Sequence, residues 1–263
     1  MARNIELMNA VKIQLRVIGA LLMREIMTRY GRNNLGFLWL LLDPIVFTVG
    51  AVLLFNTFHS SMEMKTQVIP FIFLGYSGLI LWRTCPTRGI KAIESNRVLM
   101  YHRQVKVQDV FFSRMILEIA GVTAAFIICF VSMISLGLVD YPKNMLLLIT
   151  GWILLGWFGA ALGIVLGCLS EYSDMVERIW HPAGYFMLPI SGTFFMVSWL
   201  PQYLQEWALL VPMVNCVEML RGGYWGESVQ TNYDIFYVSV VCLVLTLAGL
   251  ILMADKRMQK LAT

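Results

Sequence analysis

At 263 residues the chain is long enough for one large domain or two small ones, yet 59% of it is hydrophobic and only 14% is charged, which excludes an ordinary soluble globular protein. The formal charge of +4 is too small to mark a nucleic-acid binder, so the placement of the bases matters more than their sum. Five cysteines (Cys85, Cys129, Cys168, Cys216, Cys242) stand singly with no C-x-x-C spacing, which argues against a zinc site or disulfide framework and for packing roles.

Residues 1–34 read as a cytoplasmic N-terminus. No signal-peptide core precedes the first apolar run, so the mature chain is expected to begin at or near Met1. From Leu22 to Arg32 the pattern is amphipathic, with Leu22, Met23, Ile26, Met27 and Tyr30 on one face and Arg24, Glu25, Thr28, Arg29 and Arg32 on the other. The pattern does not hold before Gly19. A helix of this kind lies flat at the membrane surface, apolar face in the acyl boundary and basic face at the headgroups, either as a simple anchor or as part of a gate.

Spans of about 20 apolar residues, the length a bilayer core requires, are expected at Leu35–Phe58, Val68–Cys85, Met115–Val139, Met145–Leu169, Ile179–Trp199 and Tyr233–Ala254. The second is short and contains Gly75 and Gly78, so it borrows flanking residues or runs kinked. Asp43 is the one charge in the first span. Asp43-Pro44 reads either as a helix break, with Asp43 the cap and Pro44 the first helical residue, or as a polar group lining a pathway. Glu118, near the inner end of the third span, is expected to snorkel or to pair with Arg114. Gly159, Gly163 and Gly167 recur every fourth residue in the fourth span, a small-residue stripe for close helix packing. Trp39, Tyr185, Phe186, Phe194 and Phe195 are candidates for stacking on sugar rings along a pathway, or ordinary membrane aromatics. Trp82 and Trp199 read as interface anchors.

Two connections are too long for turns. Between the second and third spans a basic loop, 86–114, holds an apolar knot (Val98, Leu99, Met100, Tyr101) within polar sequence. Such a knot marks either a protein contact or a segment dipping into the interface. The segment 200–232 is too apolar for a solvated loop and is cut by Pro201 and Pro212, so two half-helices re-entering the outer leaflet are expected. Glu218 and Arg221 stand i, i+3 before Gly222-Gly223 and read as an internal ion pair at a helix end or as substrate contacts.

Charge placement sets the orientation. Six Lys and Arg precede Leu35, seven lie from Arg83 to Arg114, Arg178 follows the fourth span, and three close the tail at 255–263, whereas Lys65, Lys143 and Arg221 fall on the other side. Six spans with both ends inside satisfy this partition and an odd number does not. The fold class is therefore an all-α integral membrane protein: six transmembrane helices over 35–254, both termini cytoplasmic, with an amphipathic interfacial helix and extracytoplasmic re-entrant half-helices. No G-x-x-x-x-G-K-[ST], H-E-x-x-H or G-x-S-x-G occurs, and the histidines (His59, His102, His181) are far apart in sequence. Neither nucleotide hydrolysis nor a metal centre has a visible basis. A membrane transferase using Asp43 or Glu118 lacks a carboxylate or histidine cluster, and a secondary transporter lacks a clear inverted repeat.

Three stretches carry a resemblance: REIMTRYGRNNLGFLWLLLDP (Arg24 to Pro44), IESNRVLMYHRQVKV (Ile93 to Val107), and LPISGTFFMVSWLP through EMLRGGYWG (Leu188 to Gly226). In this order among six spans they resemble the membrane subunits of ABC-2 type exporters, most of all permeases that export capsular polysaccharide in Gram-negative bacteria, including those for Vi-type capsules. The resemblance covers nearly the whole chain. It implies a homodimer enclosing a glycan pathway in the inner membrane, with two separate ATP-binding subunits that supply ATP and Mg, and with no cofactor, metal, catalytic residue or nucleic acid in this chain. A periplasmic adaptor and an outer-membrane exporter are implied beyond these. Coupling to the ATPase is implied for Glu94, Ser95, Asn96, Arg97, Val98, Leu99, Met100, Tyr101, His102 and Arg103, and a gate helix for Gly19 to Arg32. Arg24, Arg29, Tyr30 and Arg32, with Arg83 and Arg88, would form the cytoplasmic entrance, where the arginines either attract an anionic glycan or lipid phosphate or serve only orientation. The pathway candidates are Trp39, Asp43, Tyr185, Phe186, Phe194 and Phe195. An outer gate is implied over Gln202 to Gly222, with Trp207, Pro212, Glu218 and Arg221 as its candidates. Val211 stands where much of the wider family has Asn before Pro. An O-antigen lipid or a small-molecule drug is the alternative cargo.

Overall fold

The computed structural model describes residues 2–30, 42, 45–50, 68–100, 105–255 and 258. Among these the chain is helical, with no strand. Helix α1 spans Ala2–Tyr30, α2 Val68–Gly89, α3 Arg97–Met100, α4 Val107–Ser135, α5 Met145–Tyr172, α6 Met175–Ile190, α7 Gln202–Leu209, α8 Pro212–Trp225 and α9 Ile235–Ala254. Four of them, α2, α4, α5 and α9, are long and apolar enough to cross a membrane. They coincide with four of the six expected spans. The first expected span lies largely outside the described residues, as do Arg32, Trp39, Asp43, Tyr101, His102 and Arg103 and the side chains of Arg29, Tyr30 and Leu99.

Helix α5 is the axis of the fold, packing on α2, α8 and α9. Its glycine stripe explains how. A Cβ on Gly159 would stand 2.8 Å from the Trp82 Cα, and one on Gly163 would stand 2.9 Å from the Cys85 carbonyl carbon. Both distances are below contact, so α2 and α5 touch backbone to backbone, as the small-residue spacing predicts. Around this seam a large apolar cluster forms from Phe71, Phe73, Trp82, Phe126, Trp152, Leu155 and Met219. All five cysteines are free and buried, in keeping with packing roles. Trp82, expected at the membrane interface, is instead fully buried, edge-on to Trp180 at 6.5 Å. Trp82 follows the interior face of α2, and the span extends about two turns beyond it to Gly89. By contrast α9 buries only Val238, Cys242, Gly249 and Met253, leaving a broad apolar face of the kind lipid covers.

Two expectations about elements change. Helix α1 begins at Ala2, well before the Gly19 limit, because it packs along α4 and draws on tertiary contacts as well as its own amphipathic pattern. The apolar face points away from the protein as expected, but part of the polar face does not reach outward. Glu25 meets Arg114 of α4 at 3.0 Å and Leu21 is buried, whereas Met23, Ile26 and Met27 are exposed. Part of the polar face therefore turns to the protein and the methionine face turns outward. The fifth expected span is not one helix to Trp199. Helix α6 stops at Ile190, Gly192 takes φ +77°, and a 3-10 turn follows at Val197–Trp199.

Candidate functional site: a groove on α2 and an adjoining corner

On α2 the residues Tyr76, Leu79, Ile80, Arg83, Thr84, Thr87 and Arg88 line a groove of about 230 Å³. Their 3- and 4-residue spacing puts them on one helical face, and the opposite face, with Phe73, Leu81, Trp82 and Cys85, is in the core. Helix α6 forms a neighbouring wall. The Arg83 guanidinium sits 4.7 Å from the centroid of the Tyr185 ring, and Trp180 Nε1 donates to Thr87 Oγ1 at 3.2 Å. At one end Phe47 stacks on Tyr76 at 3.8 Å and lies 6.2 Å from Phe194. At the other, Arg88 lies 3.7 Å from the buried carboxylate of Glu118, and Arg114 of α4 meets Glu25 at 3.0 Å. Tyr185 and Phe186 are 64% and 76% exposed, so the Phe186 ring and the Tyr185 face away from Arg83 are open. Four sequence candidates, Arg83, Arg88, Tyr185 and Phe194, thus gather about one groove. The combination of ring faces, hydroxyls and guanidinium groups suits a sugar polymer carrying negative charge.

Below the groove, residues 89–100 form a compact corner. Lys91 adopts φ +54°, a 3-10 turn runs Glu94–Asn96, and α3 follows directly. The corner sits on a second apolar cluster that includes Cys85, Ala92, Ile93, Met100, Phe111 and Cys168. The apolar knot therefore divides: Met100 is 4% exposed and anchors the corner, whereas Val98 is 82% exposed and projects from it. Polar ties surround it. Arg24 donates to Asn96 Oδ1 at 2.8 Å, and Arg114 donates to Ser95 Oγ at 2.6 Å and to the Arg88 carbonyl at 3.0 Å. Lys91 Nζ lies 2.8 Å from Glu177 Oε2. That contact raises the lysine above its ordinary 10.5 and holds the Glu177 carboxyl below 4.5.

At the far end of the fold the two half-helices expected between Leu200 and Asn232 are present as α7 and α8, broken before Pro212. Pro212 opens α8, where its missing N–H costs nothing. Asn215 holds the break: its amide donates to the Leu209 carbonyl at 2.7 Å and accepts from Asp234 N–H at 2.8 Å. It was not singled out in the sequence. Position 211 itself is Val, and Asn215 lies one turn later, within the buried face of α8. Glu218 and Arg221 are 1% and 0% exposed. Arg221 donates to the carbonyls of Gly192 (2.8 Å), Thr193 (2.7 Å) and Phe195, lies over the Phe71 ring at 3.8 Å, and has Glu218 at 3.9 Å. Glu218 accepts from Val197 N–H and Asn232 N–H, both at 3.2 Å. The pair is the internal clamp that fastens the turn after α6, and its side chains face the fold's interior. Trp207, by contrast, is exposed on α7. Lys91, Ser170 and Glu171 were also not singled out in the sequence, since only the folded corner gives them partners.

The sequence pattern of ABC-2 type transporters matches residues 16–225. The chain belongs to the ABC-2 type transporter family. Over 94% of its length it is 40% identical to the capsule polysaccharide export inner-membrane protein CtrC of Neisseria meningitidis serogroup A, covering 93% of that protein. It is 38% identical to the capsule polysaccharide export inner-membrane protein BexB of Haemophilus influenzae, again over 94% of this chain and 93% of the relative. The polysialic acid transport protein KpsM of Escherichia coli is 27% identical over 89% of this chain and 92% of its own length. The groove, the corner and the Glu218–Arg221 clamp all lie within the stretch that matches the ABC-2 family.

Proposed function

We propose that the chain is the inner-membrane permease subunit of an ATP-driven exporter of capsular polysaccharide. The observation that carries this reading is 40% identity, over almost the full length of both chains, to a capsule polysaccharide export inner-membrane protein. Two copies, each with six spans and both termini in the cytoplasm, enclose the pathway, and two separate ATP-binding subunits supply ATP and Mg. The α2–α6 groove forms part of that pathway. Sugar rings pack against Tyr185, Phe186 and Phe194, while Arg83 and Arg88 attract carboxylate or phosphate groups of an anionic glycan or its lipid anchor. Thr84 and Thr87 donate their hydroxyl hydrogens to the Ile80 and Arg83 carbonyls at 2.9 Å, so toward a glycan they serve only as weak acceptors, which suits a polymer that must slide.

The corner at Glu94 to Arg103 docks on the ATP-binding subunit through exposed Val98, a single apolar anchor within a polar rim. Helix α1 lies at the cytoplasmic entrance, and α7 and α8 form the outer gate, fastened by Glu218 and Arg221. A periplasmic adaptor and an outer-membrane exporter receive the glycan beyond it. The test is complementation of a capsulated bacterium whose own permease gene is deleted, supplying this chain with its ATP-binding subunit. Surface capsule is the expected result. Accumulation of glycan inside the cell, with an O-antigen lipid or a drug exported instead, would overturn the cargo assignment while keeping the family.

A further inference from the structure

The corner at residues 89–100 is held asymmetrically. Toward α1 and α4 its ties are side chain to side chain, through Asn96 and Ser95, apart from the Arg114 bond to the Arg88 carbonyl. Toward the end of α5 the ties grip its backbone. Lys91 N–H donates to Ser170 Oγ at 3.0 Å, and Ser170 is buried and bonded in turn to the Gly167 carbonyl at 2.7 Å. Ile93 N–H and Glu94 N–H both donate to Glu171 Oε1, at 3.2 and 3.4 Å. These donors head the Glu94–Asn96 turn, where no carbonyl within the turn can serve them. A carboxylate accepting two backbone N–H groups makes charge-assisted bonds, and the bonded groups cannot rotate away as side chains do. Lys91 adds a tie from the same corner to Glu177 in the first turn of α6.

Only Ser173 and Asp174 separate α5 from α6, too short a link to absorb a displacement. From there α6 carries Tyr185, ten residues along and so about 15 Å away, to its place over Arg83. We propose that Glu171 is a positioning residue that locks the coupling corner to the α5–α6 junction, so that a push from the ATP-binding subunit is delivered along α6 to the Tyr185–Arg83 wall of the groove. Lys91 is the second strut of the same linkage. This rests on the coupling role proposed above for Glu94 to Arg103.

The experiment uses the complete permease–ATPase complex in membranes and measures three quantities for wild type, Glu171→Ala and Glu171→Gln: co-purified ATPase, ATP hydrolysis, and capsular polysaccharide delivered per ATP. With Glu171→Ala the complex and its hydrolysis stay within about twofold, while glycan per ATP falls about tenfold, the scale of losing charge-assisted hydrogen bonds. Glu171→Gln, which keeps an acceptor oxygen, recovers most of the ratio. A merely structural role would lower all three quantities together, and that result overturns the proposal, as does an unchanged ratio. Should Glu171→Ala fail to accumulate, Lys91→Gly decides the matter. Glycine takes φ +54° without strain, so this variant removes only the side-chain strut, and an unchanged glycan-to-ATP ratio would refute the linkage. Failure of the wild-type chain to co-purify with the ATPase would refute the coupling role instead.

Discussion

The α5 seam and the corner at residues 89–100 lie only a few turns apart along the same helices but are built in opposite ways. At the seam Gly159 and Gly163 bring two backbones into direct contact, and the surrounding side chains are apolar and buried. At the corner the contacts are hydrogen bonds and ion pairs from five helices, many half exposed, above a small apolar base. Close-packed backbone resists displacement because every shift creates overlap or a void. Polar ties hold geometry yet can be exchanged for water, so they suit a part that moves. In the coupling role proposed above, the seam is the fixed frame against which the corner moves.

The buried clamp belongs to the fixed frame and should show the largest effect when broken. Arg221→Met leaves Glu218 buried without its partner and strips donors from three carbonyls, so a loss of about 3–5 kcal/mol is expected, read as loss of folded protein in detergent thermal melts. Adding Glu218→Leu restores only part of it, because Val197 N–H and Asn232 N–H then lose their acceptor. Full recovery by the double variant would mean that the clamp is a simple ion pair. Gly163→Leu comes next. Its side chain meets Cys85 backbone and the Met115 sulfur, and a cost of about 3 kcal/mol, the upper end for overpacking, should appear as poor membrane accumulation.

The groove and corner should behave differently, with function falling while the fold survives. Tyr185→Ala removes an exposed ring, so the melting temperature should stay within a few degrees of wild type, while capsule export, measured by surface immunostaining, drops severalfold. A melting change as large as that of Gly163→Leu would place Tyr185 in the frame instead. The smallest effect concerns pH. Lys91 is raised by Glu177, so its contribution is whole below 10.5 and fades as pH rises through the higher folded value. Glu177 is lowered by Lys91, so its contribution is whole above 4.5 and fades as pH falls through the lower folded value. The strut should therefore be intact between about 4.5 and 10.5. The distance between spin labels placed at positions flanking Lys91 and Glu177, read by electron paramagnetic resonance, should be flat across neutral pH.

Periodicity and composition made the four long helices legible, since each needs an apolar run of membrane length, and the glycine spacing foretold a close helix contact on α5 without saying that α2 supplies it. The half-helix break at Pro212 was legible for the same reason: proline leaves few alternatives. What escaped depends on distant partners. Trp82 looks like a belt residue until Gly159 is seen to draw α5 against it. The inward turn of Arg24 and Glu25 on α1 could not be read from a helical wheel, because their partners Asn96 and Arg114 lie about 70 and 90 residues away in sequence. Glu171 gave no signal, being one carboxylate at the end of an apolar run. In Glu218 and Arg221 the pairing was legible and its task was not, since the carbonyls that Arg221 holds come from a turn the sequence suggests is helix.

The central claim is that this ABC-2 chain is driven by a separate ATPase acting through the corner around Val98. It is tested most directly by co-expressing the chain with its ATP-binding subunit and measuring co-purification and ATP hydrolysis for wild type and for Val98→Asp. A stable, hydrolysing complex with wild type, lost with Val98→Asp while the variant still inserts and melts normally, is the predicted result. A complex of equal stoichiometry and equal hydrolysis with Val98→Asp would contradict it.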